Sequence, residues 1–170
     1  MTTITSTYEI RPIDADVVAA LRDCDDAGRR PRIVMTHDGG SPLRCCLRRS
    51  SRDEPMALAS YAPLRRWAHE VRADPSAYDE VGPVFIHPDA CNGPADDGFP
   101  AELFEARRVL RAYSADGAIL GGRLIEAGER AEQVLVEMFT DPQVAVVHAR
   151  ALEFGCFMFE ARRVRVGRRP

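Results

Sequence analysis

His87 and Cys91 stand four positions apart at the end of an apolar run, Gly82-Pro83-Val84-Phe85-Ile86, beyond which the chain turns polar and glycine-rich. An imidazole and a thiol at the end of a rigid strand make a small reactive or metal-binding corner. Groups of the same chemistry lie elsewhere: the adjacent Cys45 and Cys46, His148 and Cys156. Thiolate and imidazole are the ligands zinc prefers, four at a time in structural sites and three in catalytic ones. The same groups also make a cysteine nucleophile with a histidine base. A third reading leaves them as packed thiols and hydrogen-bonded histidines. Cys46, His87, Cys91, His148 and Cys156 are therefore the candidate catalytic set, and Cys46, His87, Cys91 and Cys156 the candidate zinc ligands. Spacing does not choose among the readings, because known zinc patterns bring two closely spaced ligands twice over, and here His87 and Cys91 do so once. Asp89, between them, is placed to orient His87.

Arginine is the other chemical signature. All 23 basic residues are arginine and lysine is absent, which excludes Schiff-base chemistry and lysine general bases. Arginine grips carboxylates and phosphates in a two-pronged manner. Arg48, within the basic run of Arg44, Arg49 and Arg52, is an expected contact for a small anionic molecule, as are Arg150 and Tyr61. The alternative is a non-catalytic binding or partner module whose arginines touch an acidic ligand or protein. The basic run and the arginine-rich tail also fit a solvated rim.

The elements that must position these groups follow from periodicity. Residues 7–13, 31–36, 55–61, 107–113, 118–126, 143–150 and 155–164 read as strands, as does the run before His87. Asp116-Gly117 marks a hairpin turn between two of them. The last strand is apolar on both faces and so belongs in the middle of a sheet. If residues 43–49 are extended, Cys45 and Cys46 point to opposite faces. A first helix follows Asp14, with Val17, Val18, Leu21 and Cys24 on its apolar side. The clearest helix spans 129–140, where Ala131, Val134, Leu135, Met138 and Phe139 form a stripe and Pro142 prevents continuation. Residues 62–81 read as a long irregular connection with one helical turn around Leu64 to Val71, the kind of segment that serves as a lid or binding loop. This order fits an α+β domain: a mostly antiparallel sheet of six to eight strands with two or three helices on one face.

A chain of 170 residues with 45% hydrophobic and 29% charged residues suits one domain, with a core over about 8–164 and flexible ends at 1–6 and 165–170. The net charge of −3 argues against general nucleic-acid binding. No apolar run approaches the ~18 residues of a membrane span, and the N-terminus lacks a signal-peptide pattern. The five cysteines, an odd number, fit free thiols in a reducing compartment. The expectation is a cytoplasmic protein of a bacterium. Gly39-Gly40-Ser41 and Gly121-Gly122 lack the context of a nucleotide loop.

Several of these motifs together resemble a known family. Gly82-Pro83-Val84-Phe85-Ile86-His87 with Cys91, Cys46-Leu47-Arg48, Ser60-Tyr61, and Val147-His148-Ala149-Arg150 with Gly155-Cys156-Phe157 are similar to the bacterial domain of unknown function 1203, from about Ile10 to Arg163. That pattern has a further cysteine near the position of Leu43, forming a CxxC with Cys46, and this chain departs from it there. The resemblance implies one domain and points to the Cys/His set. It implies no activity.

Overall fold

The computed structural model describes residues 7–164. The two ends expected to be flexible, 1–6 and 165–170, lie outside the described residues. Among the described residues, ten strands form two five-stranded sheets. The first runs β1 (Tyr8–Arg11), β10 (Phe157–Arg163), β9 (Val146–Ala151), β7 (Arg108–Tyr113) and β8 (Ile119–Ile125), antiparallel throughout. The second runs β2 (Arg32–Met35), β5 (Pro55–Tyr61), β6 (Gly82–Ile86), β3 (Pro42–Leu43) and β4 (Arg48–Arg49). In it β3 meets β6 in parallel at Leu43 and Phe85, and the other pairs are antiparallel.

The fold is the expected α+β domain, but two sheets replace one. The extra strands, β3 and β4, are two residues long, too short to show a period. The Asp116-Gly117 turn does join an antiparallel pair, β7 and β8. β10 lies between β1 and β9, as its two apolar faces require. Its Met158 and Phe159 enter the core of the first sheet, while Phe157 enters that of the second. One strand thus ties both cores together.

The helices are divided between the sheets. Helix α1 (Ala15–Asp23) buries Val18 and Leu21 in the second core. It ends at Asp23, and Cys24, expected on the apolar stripe, is exposed because its backbone is already extended. Helix α3 (Ala131–Met138) buries Val134 and Leu135 in the first core, and Phe139 follows them there. The helical turn expected around Leu64 to Val71 is a full helix, α2 (Pro63–Val71), with Pro63 in its first turn. Its Leu64 and Trp67 pack with Tyr113 and Val146, which anchors the segment. Arginines between these apolar positions obscured the short stripe. No helix among the described residues is long and apolar enough to cross a membrane.

Candidate metal and thiol site

The site is built on the turn between β3 and β4. Residues 44–47 are not extended: they turn, with the amide of Leu47 donating to the carbonyl of Leu43 at 2.9 Å. Leu47 takes a left-handed φ of 56°. That conformation costs a non-glycine residue roughly 1–2 kcal/mol, offset by burial of the Leu47 side chain in the first core. Two backbone bonds, Arg44 N–H to the Phe85 carbonyl and Ile13 N–H to the Arg44 carbonyl, both 2.9 Å, fix the turn to its neighbours. Tight turning, rather than strand alternation, brings both Cys45 and Cys46 to one imidazole.

That imidazole is His87, immediately after β6. Its Nδ1 lies 3.2 Å from Cys45 Sγ and 3.9 Å from Cys46 Sγ. Its backbone N–H donates to Cys45 Sγ at 3.3 Å. Arg22 of α1 donates to the His87 carbonyl at 3.0 Å and also to the Asp89 carbonyl, holding the chain that leads to Cys91. One ligand atom each from Cys45, Cys46, His87 and Cys91 lies within 4.8 Å of all the others. In a tetrahedral zinc site such atoms are about 3.6–3.8 Å apart, so a modest contraction closes the set around an ion.

Glu54 orients the ring, the role expected of Asp89. Its Oε1 lies 3.0 Å from His87 Nε2. The Arg48 guanidinium pairs with the Glu54 carboxylate through both oxygens, at 3.0 and 2.5 Å. That pairing, with the Ser51 amide and His87, pulls the Glu54 carboxyl down to about 2 despite partial burial. An ionised Glu54 accepts the Nε2 proton, so the Nδ1 lone pair faces the thiols, as in a histidine ligand held by a carboxylate. Arg48 Nη2, 3.0 Å from the same Nε2, shares the Glu54 acceptor.

The two neighbouring thiols are unequal. A hydrogen bond from the Cys45 thiol pushes Cys46 down to about 6, against the burial that would raise it, with help from the Arg48 amide, the Arg48 charge and, when the ring is protonated, that of His87. Cys45 moves up, through the same bond to Cys46 and through burial. The cluster borders an open cleft of about 610 Å³, where Cys46, Arg48, His87 and Cys91 face the chain around Asn92 and Pro100.

The other candidates lie elsewhere. His148, on β9, is fully buried against Tyr113 and Phe157, with Nε2 3.5 Å from Glu160. Burial lowers its pKa, outweighing the Glu160 interaction that raises it. Cys156, half-buried before β10, is not part of the Cys45–Cys46–His87–Cys91 group. It shares a recess of about 330 Å³ with Arg150 and Tyr61, two of the expected anion contacts. Arg150 is buried there and paired with Glu80 at 2.8 Å. The third, Arg48, belongs to the cysteine cluster. Sequence reading missed Glu54 entirely; no spacing links it to His87, which it meets from the residue just before β5. It also set Arg44 on an exposed rim, whereas the side chain is buried. Leu43, where the resemblance implied a further cysteine, is wholly buried in the second core.

The family model described as Protein of unknown function (DUF1203) matches residues 40–163. No curated protein matches the chain, and no solved structure does.

Proposed function

Because the chain belongs to this family of proteins of unknown function, over a match that includes Cys45, Cys46, His87 and Cys91, its fold class carries no activity with it, and we propose from the site alone that the protein binds zinc. Cys45, Cys46, His87 and Cys91 would hold the ion. One observation carries the reading: three sulfurs and a ring nitrogen converge within 4.8 Å while a carboxylate holds the far side of the ring. Three thiols and one imidazole are a soft donor set suited to zinc. Four protein ligands close the shell, the arrangement of a structural site rather than of one that keeps a position for substrate. The ion would tie the β3–β4 turn to the loop after β6. Free cysteines throughout the described residues support a reducing compartment, the cytoplasm.

The test is metal analysis of purified protein together with Co²⁺ substitution. About one zinc per chain and the visible bands of tetrahedral thiolate-bound Co²⁺ are expected. Both should be lost in Cys91→Ala and His87→Ala and kept in Cys156→Ser. Protein that carries no zinc and takes none up on titration overturns the reading.

The low pKa of Cys46 favours a second reading, in which its thiolate attacks an electrophile in the cleft. Chelation separates the two. A metal site leaves the thiols unreactive until zinc is removed, whereas a nucleophile reacts in the protein as purified.

A further inference from the structure

Two arginines that form no ion pair among the described residues share one cavity. Arg44, from the β3–β4 turn, is 3% exposed and Arg108, at the start of β7, is 6% exposed. A buried charge is costly unless paired, and among the described residues neither guanidinium has an ion-pair partner, although most of the other arginines described do. Their hydrogen bonds go to neutral groups. Arg44 donates to the carbonyls of Phe157 at 2.8 Å and Pro42 at 2.5 Å and to the Met158 sulfur at 3.6 Å. Arg108 donates to the carbonyls of Leu103 at 2.7 Å and Arg107 at 2.8 Å. Burial pulls both guanidiniums down, with Arg108 adding to the effect on Arg44 and Arg49 to that on Arg108, partly offset by Glu153.

Both line a cavity of about 760 Å³ between the two sheets, whose lining includes none of Cys45, Cys46, His87 and Cys91. The other walls are mainly apolar: Leu58 and Phe85 from the second sheet, Met158 and Ala151 from the first, and Phe154, 83% exposed, at the rim. The single acid among the lining residues, Glu153, is exposed and forms no ion pair with either arginine. Cys156 also lines this space. The volume is that of a small-ligand site, in which apolar walls hold the body and a few polar groups fix the head.

We propose that this cavity binds an organic anion with an apolar body and a single oxyanion head, the head held by Arg44 and Arg108 and the body lying against Leu58, Phe85 and Met158. The site is separate from the zinc cluster and does not depend on it. The ligand supplies the paired negative charge that no described residue gives these two buried guanidiniums, and planar guanidinium is suited to a carboxylate or a phosphate alike.

Calorimetric titration with octanoate, octyl phosphate and the neutral octanol tests this directly. At least one of the two anions should bind, with octanol about tenfold weaker or worse. Arg108→Gln should weaken the anion by about tenfold or more while zinc content stays unchanged. Wild-type protein gives a second measurement that needs no substitution: the bound anion should slow alkylation of Cys156 by neutral iodoacetamide and leave exposed Cys24 unaffected. If the preferred anion is octanoate the head is a carboxylate, and if octyl phosphate, a phosphate. The proposal is overturned if neither anion binds at millimolar concentration, if octanol binds as well as they do, if a folded Arg108→Gln binds them unchanged, or if binding leaves the Cys156 rate unaltered.

Discussion

Glu54 Oε1 and His87 Nε2 lie 3.0 Å apart, on the side of the imidazole opposite the thiols. This contact fixes which ring nitrogen can accept a metal. Outer partners of this kind contribute 10–100-fold to metal affinity. Glu54→Gln should therefore weaken zinc binding by about 10–100-fold without abolishing it. Competition against a chelator of known affinity measures the change. An unaltered affinity would mean that the ring is held in place by Arg22 and the turn alone.

Cys45 and Cys156 should behave oppositely. Cys45 Sγ lies 3.2 Å from His87 Nδ1, while Cys156 faces other recesses. Cys45→Ser is expected to lose thiolate-to-cobalt absorption, and Cys156→Ser to retain it. Equal spectra from the two variants would remove Cys45 from the ligand set.

In metal-free protein Cys46 should react well below the pH at which an ordinary thiol does. Its pKa is near 6, so its alkylation rate should rise through that pH and flatten above it. Cys45, raised by its bond to Cys46 and by burial, should remain slow at neutral pH. Peptide-resolved mass spectrometry at several pH values follows both sites in one experiment. Matching profiles for the two thiols would contradict the inequality.

His148 gives a pH dependence unrelated to the cluster. Burial lowers its pKa below the usual 6.5, so the unfolded chain takes up protons more readily than the folded one as the pH falls below that value. Stability contributed by neutral His148 is complete above 6.5 and diminishes below it. Glu160, Arg150 and Arg111 are the charged groups that act on it. Unfolding midpoints of metal-free wild type and His148→Gln should therefore converge as the pH is lowered through this range. Parallel curves would mean that His148 titrates alike in both states.

Leu135 tests the packing of α3. It is fully buried in the first core, and Leu135→Ala should cost roughly 2–5 kcal/mol in denaturant unfolding. A near-neutral result would place α3 at the periphery.

Much of the architecture was legible because it rests on local periodicity. β5 occupies the residues expected of it, β6 ends just before His87, and the stripe of Val134, Leu135 and Phe139 packs as its spacing requires. Where the period was short or interrupted, reading failed. The two-residue strands β3 and β4 offered no alternation, and α2, its apolar residues set among arginines, read as a single turn rather than a full helix. Cys24 followed the helical stripe in sequence, but the helix ended one residue too soon to bury it.

For the site, residue type and the proximity of His87 to Cys91 were enough to identify a corner with metal or thiol chemistry, since both residues leave the same strand end. Only the tertiary structure chose their companions. A left-handed Leu47 turned two adjacent cysteines toward one ring, register brought Glu54 behind that ring, and β9 sealed His148 inside the core. Alternation along a chain says which side of an element a residue occupies. It carries no information about which distant element faces that side, because that is decided by the packing of the two sheets as a whole.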